Sequence, residues 1–356
     1  MTNFWNRRRL RHRYVFDMVP TISVNASQGA GFPAAAEEIS EHTKVSPHVY
    51  SGAMAVIFDP LRGRVRPDAS HSDAEIVDVL TETNSDADWA VLTGAGMSTD
   101  SGVPDYRGPD SPPRNPMTIQ TFHSHPDQRA RYWARSWMGW PRMRGTRPNR
   151  AHLALAELPV AGIITQNVDG LHQSAAEAVA AERGNDSGAP APSPVIDLHG
   201  SLDRVICLQN GHLFDRDLVQ RRLSELNPDF AEEVGIDPID VETAPDGDVE
   251  LEDTAGFIVP DCPECGGLLK PDVVYFGDSV PAARVQQANR IADEAAGIVV
   301  LGSSLAVLSG LRFVRTAAKE GKPVVIVTDG PTRGDELADY RSISRVADFV
   351  TTWARR

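Results

Sequence analysis

Short apolar runs alternate along the chain with segments in which apolar residues recur at helical spacing. The runs predict buried strands at 89–92, 162–165, 195–198, 297–301, 323–327 and 347–350, and the spacing predicts helices at 74–80, 284–296 and 311–320. Strands that alternate with helices are typical of parallel sheets. We therefore predict an α/β fold with a doubly wound, Rossmann-like parallel sheet, whose ligand lies beyond the carboxyl ends of the strands.

Two stretches, near 105–150 and 200–276, interrupt this alternation. We interpret them as a helical insertion and a metal-bearing, zinc-ribbon insertion that form a smaller domain over the cleft. Residues 1–70 show no sustained apolar period, which predicts a disordered or poorly ordered extension ahead of a folded domain at 71–356.

Acidic residues are concentrated between 229 and 253, where the sequence has eleven acids and no base. We interpret this segment as a solvated, mobile insertion loop, with a docking site for basic partners as the alternative. The net charge of −14 disfavours nucleic acid and anionic membranes as partners, because such surfaces attract concentrated lysine and arginine. The chain has no apolar run of about 18 residues, so we expect no membrane span.

Three cysteines in 356 residues make no disulfide framework, which favours a reducing compartment and either a metal site or buried thiols. We therefore expect a cytoplasmic protein. The chain begins with an arginine-rich segment that contains no acid before Asp17. If this segment is an organellar presequence, the protein is mitochondrial.

A glycine-rich turn follows the first predicted strand. Gly94 and Gly96 are suited to a close approach of the backbone to a pyrophosphate, although a plain tight turn has the same composition. The dehydrogenase fingerprint requires a third glycine where Thr99 stands and an acid about 20 residues later, where the sequence has Arg114 and Asn115. A nicotinamide dehydrogenase is therefore disfavoured.

Six motifs occur in a fixed order along the chain. They are GAG-x-S-x-x-SG-x-PDYR at 94–107, TQN-x-D-x-LH at 165–172, HG at 199–200, paired cysteines, KPDVVYFGD at 270–278 and GSSL at 302–305. In this order they resemble the sirtuins, the NAD-dependent protein deacylases. RYWAR at 131–135, GWP at 139–141, LNP at 226–228 and APDGDV at 244–249 further resemble the class II branch, which includes a mitochondrial ADP-ribosyltransferase and lipoamidase.

The resemblance implies a binding site for NAD as co-substrate. Matched to the family pattern, the residues that contact NAD are Gly94, Ala95, Gly96, Ser98, Thr99, Asp105, Tyr106, Arg107, Gln166, Asn167, Asp169, Gly302, Ser303, Ser304, Thr328 and Asp329. Asp169 also suits a helix cap, which is compatible with this role. At the adenosine end the family commonly has Asn where this chain has Thr328, so the amide contact is lost and a hydroxyl remains.

The resemblance also implies a mechanism. In sirtuins the acyl-lysine carbonyl oxygen attacks the nicotinamide ribose, nicotinamide leaves, and a histidine activates a ribose hydroxyl against the resulting imidate. His199 matches that base, and an imidazole is suited to accept a hydroxyl proton at neutral pH. Asn167 and Asp169 complete the expected catalytic set, because an amide can orient the sugar and a carboxylate can stabilise developing positive charge.

The metal set departs from the family pattern of two C-x-x-C pairs for a structural zinc. Cys262 and Cys265 form one pair, whereas the other begins at Cys207 and has Asn210 in place of a cysteine. A carboxamide is a poor zinc ligand, so His212 or a water is the alternative fourth ligand. A metal-free ribbon with buried thiols also fits the sequence.

Three functions fit the motifs. The first is an NAD-consuming deacylase of acyl-lysine proteins, which releases nicotinamide and O-acyl-ADP-ribose with His199 as general base. The second is a protein mono-ADP-ribosyltransferase or lipoamidase on the same fold. The third, of another class, is a non-catalytic NAD-binding scaffold, which the presence of His199 disfavours. The segment at 108–114 lacks the tyrosine of the Tyr-x-x-Arg pair found in desuccinylating sirtuins, so small dicarboxylic acyl groups are disfavoured.

Overall fold

The computed structural model describes residues 61, 64–65, 67–82, 89–107, 116–184, 191–235, 243–251 and 253–356. Its larger sheet has six parallel strands in the order β3–β2–β1–β7–β8–β9. These strands are β1 (Ala90–Thr93), β2 (Gly162–Thr165), β3 (Val195–Asp197), β7 (Ile298–Leu301), β8 (Val324–Val327) and β9 (Tyr340–Ser342). The predicted doubly wound α/β fold is therefore confirmed. The strand order reverses between β1 and β7, and a ligand cleft forms at such a point.

Helices cover both faces of this sheet and form the helical insertion. Their bounds are α1 (Asp73–Glu82), α2 (Ile119–Ser124), α3 (Pro126–Gly145), α4 (Arg150–Glu157), α5 (Leu171–Arg183), α6 (Arg216–Leu226), α7 (Phe230–Val234), α8 (Ala282–Glu294), α9 (Leu308–Lys319) and α10 (Val346–Trp353). Strands β1, β2, β7 and β8 are buried along their whole length, which explains why apolar residues predominate in all four. No described helix combines the length and apolar character needed to cross a membrane.

The smaller module has a three-stranded antiparallel sheet in the order β5–β4–β6. Its strands are β4 (Gly200–Cys207), β5 (Leu213–Asp215) and β6 (Leu269–Val273). The long helix α3 packs against it, and the indole nitrogen of Trp133 donates to the carbonyl of Leu269 at 3.2 Å. Both predicted insertions thus contribute to one apolar core beside the large sheet.

The strand predicted at 347–350 is wrong, because these residues belong to helix α10. Its buried residues include Val346, Phe349, Val350 and Trp353, which recur at the spacing of one helix face. Phe349 and Val350 are of types common in strands, which favoured a strand for the short run at 347–350. The sixth strand is instead β9, whose three residues include the buried Arg341 and carry no apolar run.

The interpretation of 229–253 as a solvated, mobile loop is wrong for the residues that the structure describes there. Residues 230–234 form α7, and 243–249 form a tight turn closed by an antiparallel bridge between Thr243 and Val249. This turn packs on α3 so closely that a Cβ at Gly139 would lie 2.0 Å from the carbonyl oxygen of Gly247. Arg135 of α3 forms an ion pair with Asp248 at 3.0 Å. Residues 236–242 and 252 lie outside the described residues.

Most of the predicted N-terminal extension, residues 1–60, lies outside the described residues, and its proposed boundary stays a prediction. The described residues before α1 do contact the folded domain. The amide of Ser70 donates to the carbonyl of Arg341 at 2.9 Å, and Leu61 is buried.

Candidate active site

A cavity of about 880 Å³ lies at the carboxyl ends of β1 and β7, where the strand order reverses. All the residues predicted to contact NAD line it, and so does the predicted base. They are Gly94, Ala95, Gly96, Ser98, Thr99, Asp105, Tyr106, Arg107, Gln166, Asn167, Asp169, His199, Gly302, Ser303, Ser304, Thr328 and Asp329. The structure therefore brings together residues that are distributed over more than 230 positions of the chain.

The two glycine turns at the cavity floor contact each other directly. A Cβ at Gly94 would lie 2.8 Å from the Cα of Ser303, and one at Gly96 would lie 2.9 Å from the Cα of Gly302. The amide of Gly96 donates to the carbonyl of Gly302 at 2.9 Å. Both glycines are thus required for the contact between the turns. This requirement is separate from their predicted role in the approach of the backbone to a pyrophosphate.

The loop after β2 connects these two turns. The side-chain amide of Asn167 donates to the carbonyl of Gly94 at 3.1 Å and to the hydroxyl of Ser98 at 3.0 Å. On the other side, the hydroxyl of Ser303 donates to the side-chain oxygen of Gln166 at 2.6 Å. Hydrogen bonds between the loop after β2 and both glycine turns therefore fix the polar groups of the cavity wall before any ligand is bound.

Asp169 has the two contacts that its position in the sequence suggested. One carboxylate oxygen accepts from Ser98 at 2.7 Å in the cavity, and the other accepts from the amide of Leu171 at the start of α5 at 3.0 Å. Burial raises the pKa of Asp169, although these hydrogen bonds oppose that shift. Because the carboxylate lies among buried groups, it is suited to stabilise a cation that develops close to it.

His199 lies between β3 and β4, where the chain leaves the large sheet for the smaller module. The next residue, Gly200, has φ +88°, and a Cβ there would lie 1.8 Å from the carbonyl oxygen of Asp272. The HG motif is therefore a geometric requirement, since only glycine lets β4 approach β6 at this point. This close contact fixes the backbone next to the imidazole.

Both ring nitrogens of His199 have partners. Nδ1 lies 3.0 Å from the backbone carbonyl of Gln166, and Nε2 lies 2.7 Å from the hydroxyl of Ser309. Burial lowers the pKa of His199, the charge of Arg284 acts in the same direction, and the bond to Gln166 opposes them. The imidazole is therefore neutral at neutral pH and able to accept a proton.

Thr328 lies at the far end of the cavity, after β8. Its amide donates to the carbonyl of Ser342 at 3.2 Å, and its own carbonyl accepts from the guanidinium of Arg341 at 2.8 Å. The backbone of Thr328 is thus fixed between β8 and β9. Residues just before α10 and in its first turn also line this end of the cavity, and no recognised motif contains them; they are Ser344, Arg345, Val346 and Ala347.

Three further segments of the cavity wall were missed. They are 273–277, from the end of β6 onward, 305–309, which lead into α9, and Pro245 with Asp246 in the acidic insertion. The first segment lies within the KPDVVYFGD motif, and the second begins at the last residue of GSSL, so these motifs were the available signal. Asp246 lies in the APDGDV segment, but that resemblance did not indicate a place in the cavity wall, because its approach to the cavity depends on how the 243–249 turn packs on α3.

The three cysteines and His212 form a cluster in the smaller module. Their ligand atoms all lie within 4.8 Å of one another; Cys207 Sγ is 3.5 Å from Cys265 Sγ, and His212 Nδ1 is 3.4 Å from Cys262 Sγ. A glycine is required here too, since a Cβ at Gly267 would lie 2.9 Å from Cys207 Sγ. The cluster thus places the imidazole of His212 where it can supply the fourth ligand.

This donor set fits a structural zinc ion. Three thiols and one imidazole at these separations suit tetrahedral coordination with Zn–S near 2.3 Å and Zn–N near 2.0 to 2.1 Å. Burial opposes ionisation of Cys265, but hydrogen bonds with the Gly267 amide, Asn210 and the other two cysteines together lower the pKa of this thiol to about 7. Asn210 is therefore close enough to donate a hydrogen bond to the sulfur of Cys265. Nε2 of His212 lies 3.6 Å from the carboxylate of Glu264, which can orient the ring.

Comparison with known proteins agrees with this geometry. Residues 94–309 match the model of the Sir2 family. "NAD-dependent protein deacetylase 1" of Mycobacterium avium is 52% identical to the chain, over 71% of this chain and 85% of the relative. "NAD-dependent protein deacylase SIR4" of Batrachochytrium dendrobatidis is 41% identical, over 79% of this chain and 93% of the relative. A solved Sir2 chain described with a p53 peptide and NAD+ is 28% identical with a TM-score of 0.58, over 79% of this chain and 97% of that one.

Proposed function

The chain belongs to the Sir2 family, and from that premise we infer that it is an NAD-dependent protein deacylase. It is an enzyme that takes NAD as co-substrate, so the scaffold alternative is not retained. The observation that carries this conclusion is the position of His199, whose imidazole contacts the Gln166 carbonyl and lies in the cavity wall with Gln166, Asn167 and Asp169.

The roles of these residues follow from their positions. Asn167 and Gln166 present amide groups fixed by the two glycine turns, and they are suited to orient the ribose. Asp169 supplies negative charge where nicotinamide departure leaves the sugar electron-poor. His199 then accepts the proton of a ribose hydroxyl, whose oxygen bonds to the carbon of the acyl group. The zinc cluster takes no part in these steps; it would hold the smaller module in its fold.

The substrates we propose are acyl-lysine side chains of proteins. The Sir2 chain described with a p53 peptide supports a peptide substrate, since this chain aligns with 97% of it. The peptide lysine would enter between the large sheet and the smaller module, the two bodies that contribute residues to the cavity wall.

We further propose that the enzyme belongs to the class II branch. The segments that resemble this branch, RYWAR, GWP and APDGDV, lie apart in the sequence but contact one another in the structure. Arg135 pairs with Asp248, and Gly139 lies against Gly247. Asp246, in the same turn, lines the cavity. These segments therefore act as one unit at the wall of the active site.

This unit affects which acyl group is accepted. A carboxylate at Asp246 repels an acyl chain that ends in a second carboxylate, which agrees with the missing tyrosine at 108–114. We expect the enzyme to remove acetyl and longer neutral acyl groups, lipoyl included, and to remove succinyl poorly.

The test is a panel of lysine peptides that carry acetyl, lipoyl or succinyl, incubated with NAD and analysed by mass spectrometry. In Asp246→Asn we expect the succinyl-to-acetyl ratio of kcat/KM to rise about tenfold, because a like charge is removed. Asp253→Asn, a change at another acid of the insertion, is the matched control. A wild-type enzyme that prefers succinyl would contradict the proposed specificity. Transfer of ADP-ribose to a protein without an acylated peptide would favour the transferase alternative.

A further inference from the structure

Ser309 is the second residue of helix α9, and its hydroxyl lies 2.7 Å from Nε2 of His199. Both residues line the cavity. Ser309 follows the GSSL turn by four positions, so none of the motifs that identify the family contains it. The contact joins two residues that are 110 positions apart in the chain. It involves Nε2, the imidazole nitrogen that accepts the ribose proton in the proposed reaction.

The partners of His199 determine which nitrogen carries its hydrogen. The backbone carbonyl of Gln166 can only accept, so the hydrogen of the neutral ring must be on Nδ1. Nε2 then has the lone pair, and the hydroxyl of Ser309 must donate to it. Two hydrogen bonds at opposite sides of the ring fix both its tautomer and its orientation.

We propose that Ser309 is a further positioning residue of the deacylation, an inference that rests on the proposed function. Its hydroxyl holds Nε2, and with it the lone pair of the base, toward the cavity before NAD is bound. A ribose hydroxyl takes over this hydrogen bond when NAD binds, because the serine hydroxyl can leave by rotation about a single bond. The ribose proton then passes to Nε2, and the ribose oxygen keeps the electron pair with which it bonds to the acyl carbon.

The other groups around His199 do not depend on Ser309. Asp272 accepts from Arg284 at 2.6 Å and from Arg204 at 3.0 Å, and Arg204 also lies 3.4 Å from Asp197. These side chains belong to α8, β3, β4 and β6, and their ion pairs with one another do not involve Ser309. Removal of the Ser309 hydroxyl therefore changes the contact at Nε2 and leaves the ion pairs in place.

The test separates the step that needs the base from the step that precedes it. Nicotinamide exchange, measured with labelled nicotinamide and an acyl-peptide, requires only the first step of the reaction, whereas deacylated peptide requires both. In Ser309→Ala we expect kcat/KM for deacylation to fall about 10- to 100-fold, since small displacements of a catalytic group have effects of this size. Exchange should stay within about twofold of the wild type.

Two variants complete the experiment. Ser309→Thr keeps the hydroxyl and should recover most of the deacylation, and Ser174→Ala, at an exposed serine on α5, should behave as the wild type. An equal loss of exchange and deacylation in Ser309→Ala would overturn the proposal, because it indicates general damage to the site. Unchanged deacylation, or a Ser309→Thr variant with normal exchange and no recovery, would overturn it too. A wild-type protein that shows neither activity would instead refute the proposed function.

Discussion

His199→Ala is expected to abolish measurable deacylation while NAD binding and nicotinamide exchange persist. General base catalysis supplies about 10²- to 10⁴-fold in rate, and His199 is the imidazole that the structure places in the cavity wall between Gln166 and Ser309. NAD is held by other residues, chiefly those of the two glycine turns and the loop after β2. The measurements are the rate of peptide deacylation, the rate of nicotinamide exchange and the dissociation constant for NAD.

The control for this variant is His123→Ala, since His123 is exposed on α2 and does not line the cavity. Deacylation by His199→Ala at the wild-type rate would show that another group accepts the proton. A parallel loss of NAD binding would show instead that the imidazole mainly supports the fold of the site.

His212→Ala is expected to remove most of the zinc and to destabilise the smaller module. Mutation of residues that only contact zinc ligands already costs about 10- to 100-fold in affinity, so loss of a ligand should cost at least as much. Because metal binding is coupled to folding in such modules, the loss should appear as a lower thermal midpoint. Elemental analysis of the purified protein gives the zinc content, and calorimetry gives the midpoint.

The matched variant is Asn210→Cys in the His212→Ala background. It recreates a C-x-x-C pair at 207–210, and we expect it to restore zinc and thermal stability. Asn210→Cys alone should add little, because His212 already completes the set of four donors. Full zinc content in His212→Ala, without the second change, would exclude the imidazole as a ligand.

Most of the large sheet could be predicted because its strands are buried on both faces. The run at 297–301 is apolar throughout and that at 162–165 is apolar up to Thr165, so composition alone marked them as strands. The segment at 347–350 was assigned wrongly, because a run of four residues cannot separate a strand from a buried helix. Over eight residues, from Val346 to Trp353, the helical period is visible.

The candidate site could be predicted only as far as its motifs extend. The glycine turns, the loop after β2 and His199 are each recognisable within a few residues of sequence. Asp246 and Ser309 reach the cavity through tertiary packing, the first through the turn on α3 and the second through the start of α9. The fourth zinc ligand was ambiguous for the same reason, since the turn at Gly211, with φ +69°, determines where the imidazole lies.

The central claim is that this cavity transfers an acyl group from lysine to the ADP-ribose part of NAD. The most direct measurement is to incubate the wild-type enzyme with NAD and an acetyl-lysine peptide and to quantify three products of the same reaction by mass spectrometry. We expect nicotinamide, deacetylated peptide and O-acetyl-ADP-ribose to form in equal amounts. Deacetylated peptide with free acetate and unconsumed NAD, or NAD consumption without loss of the acetyl group, would contradict it.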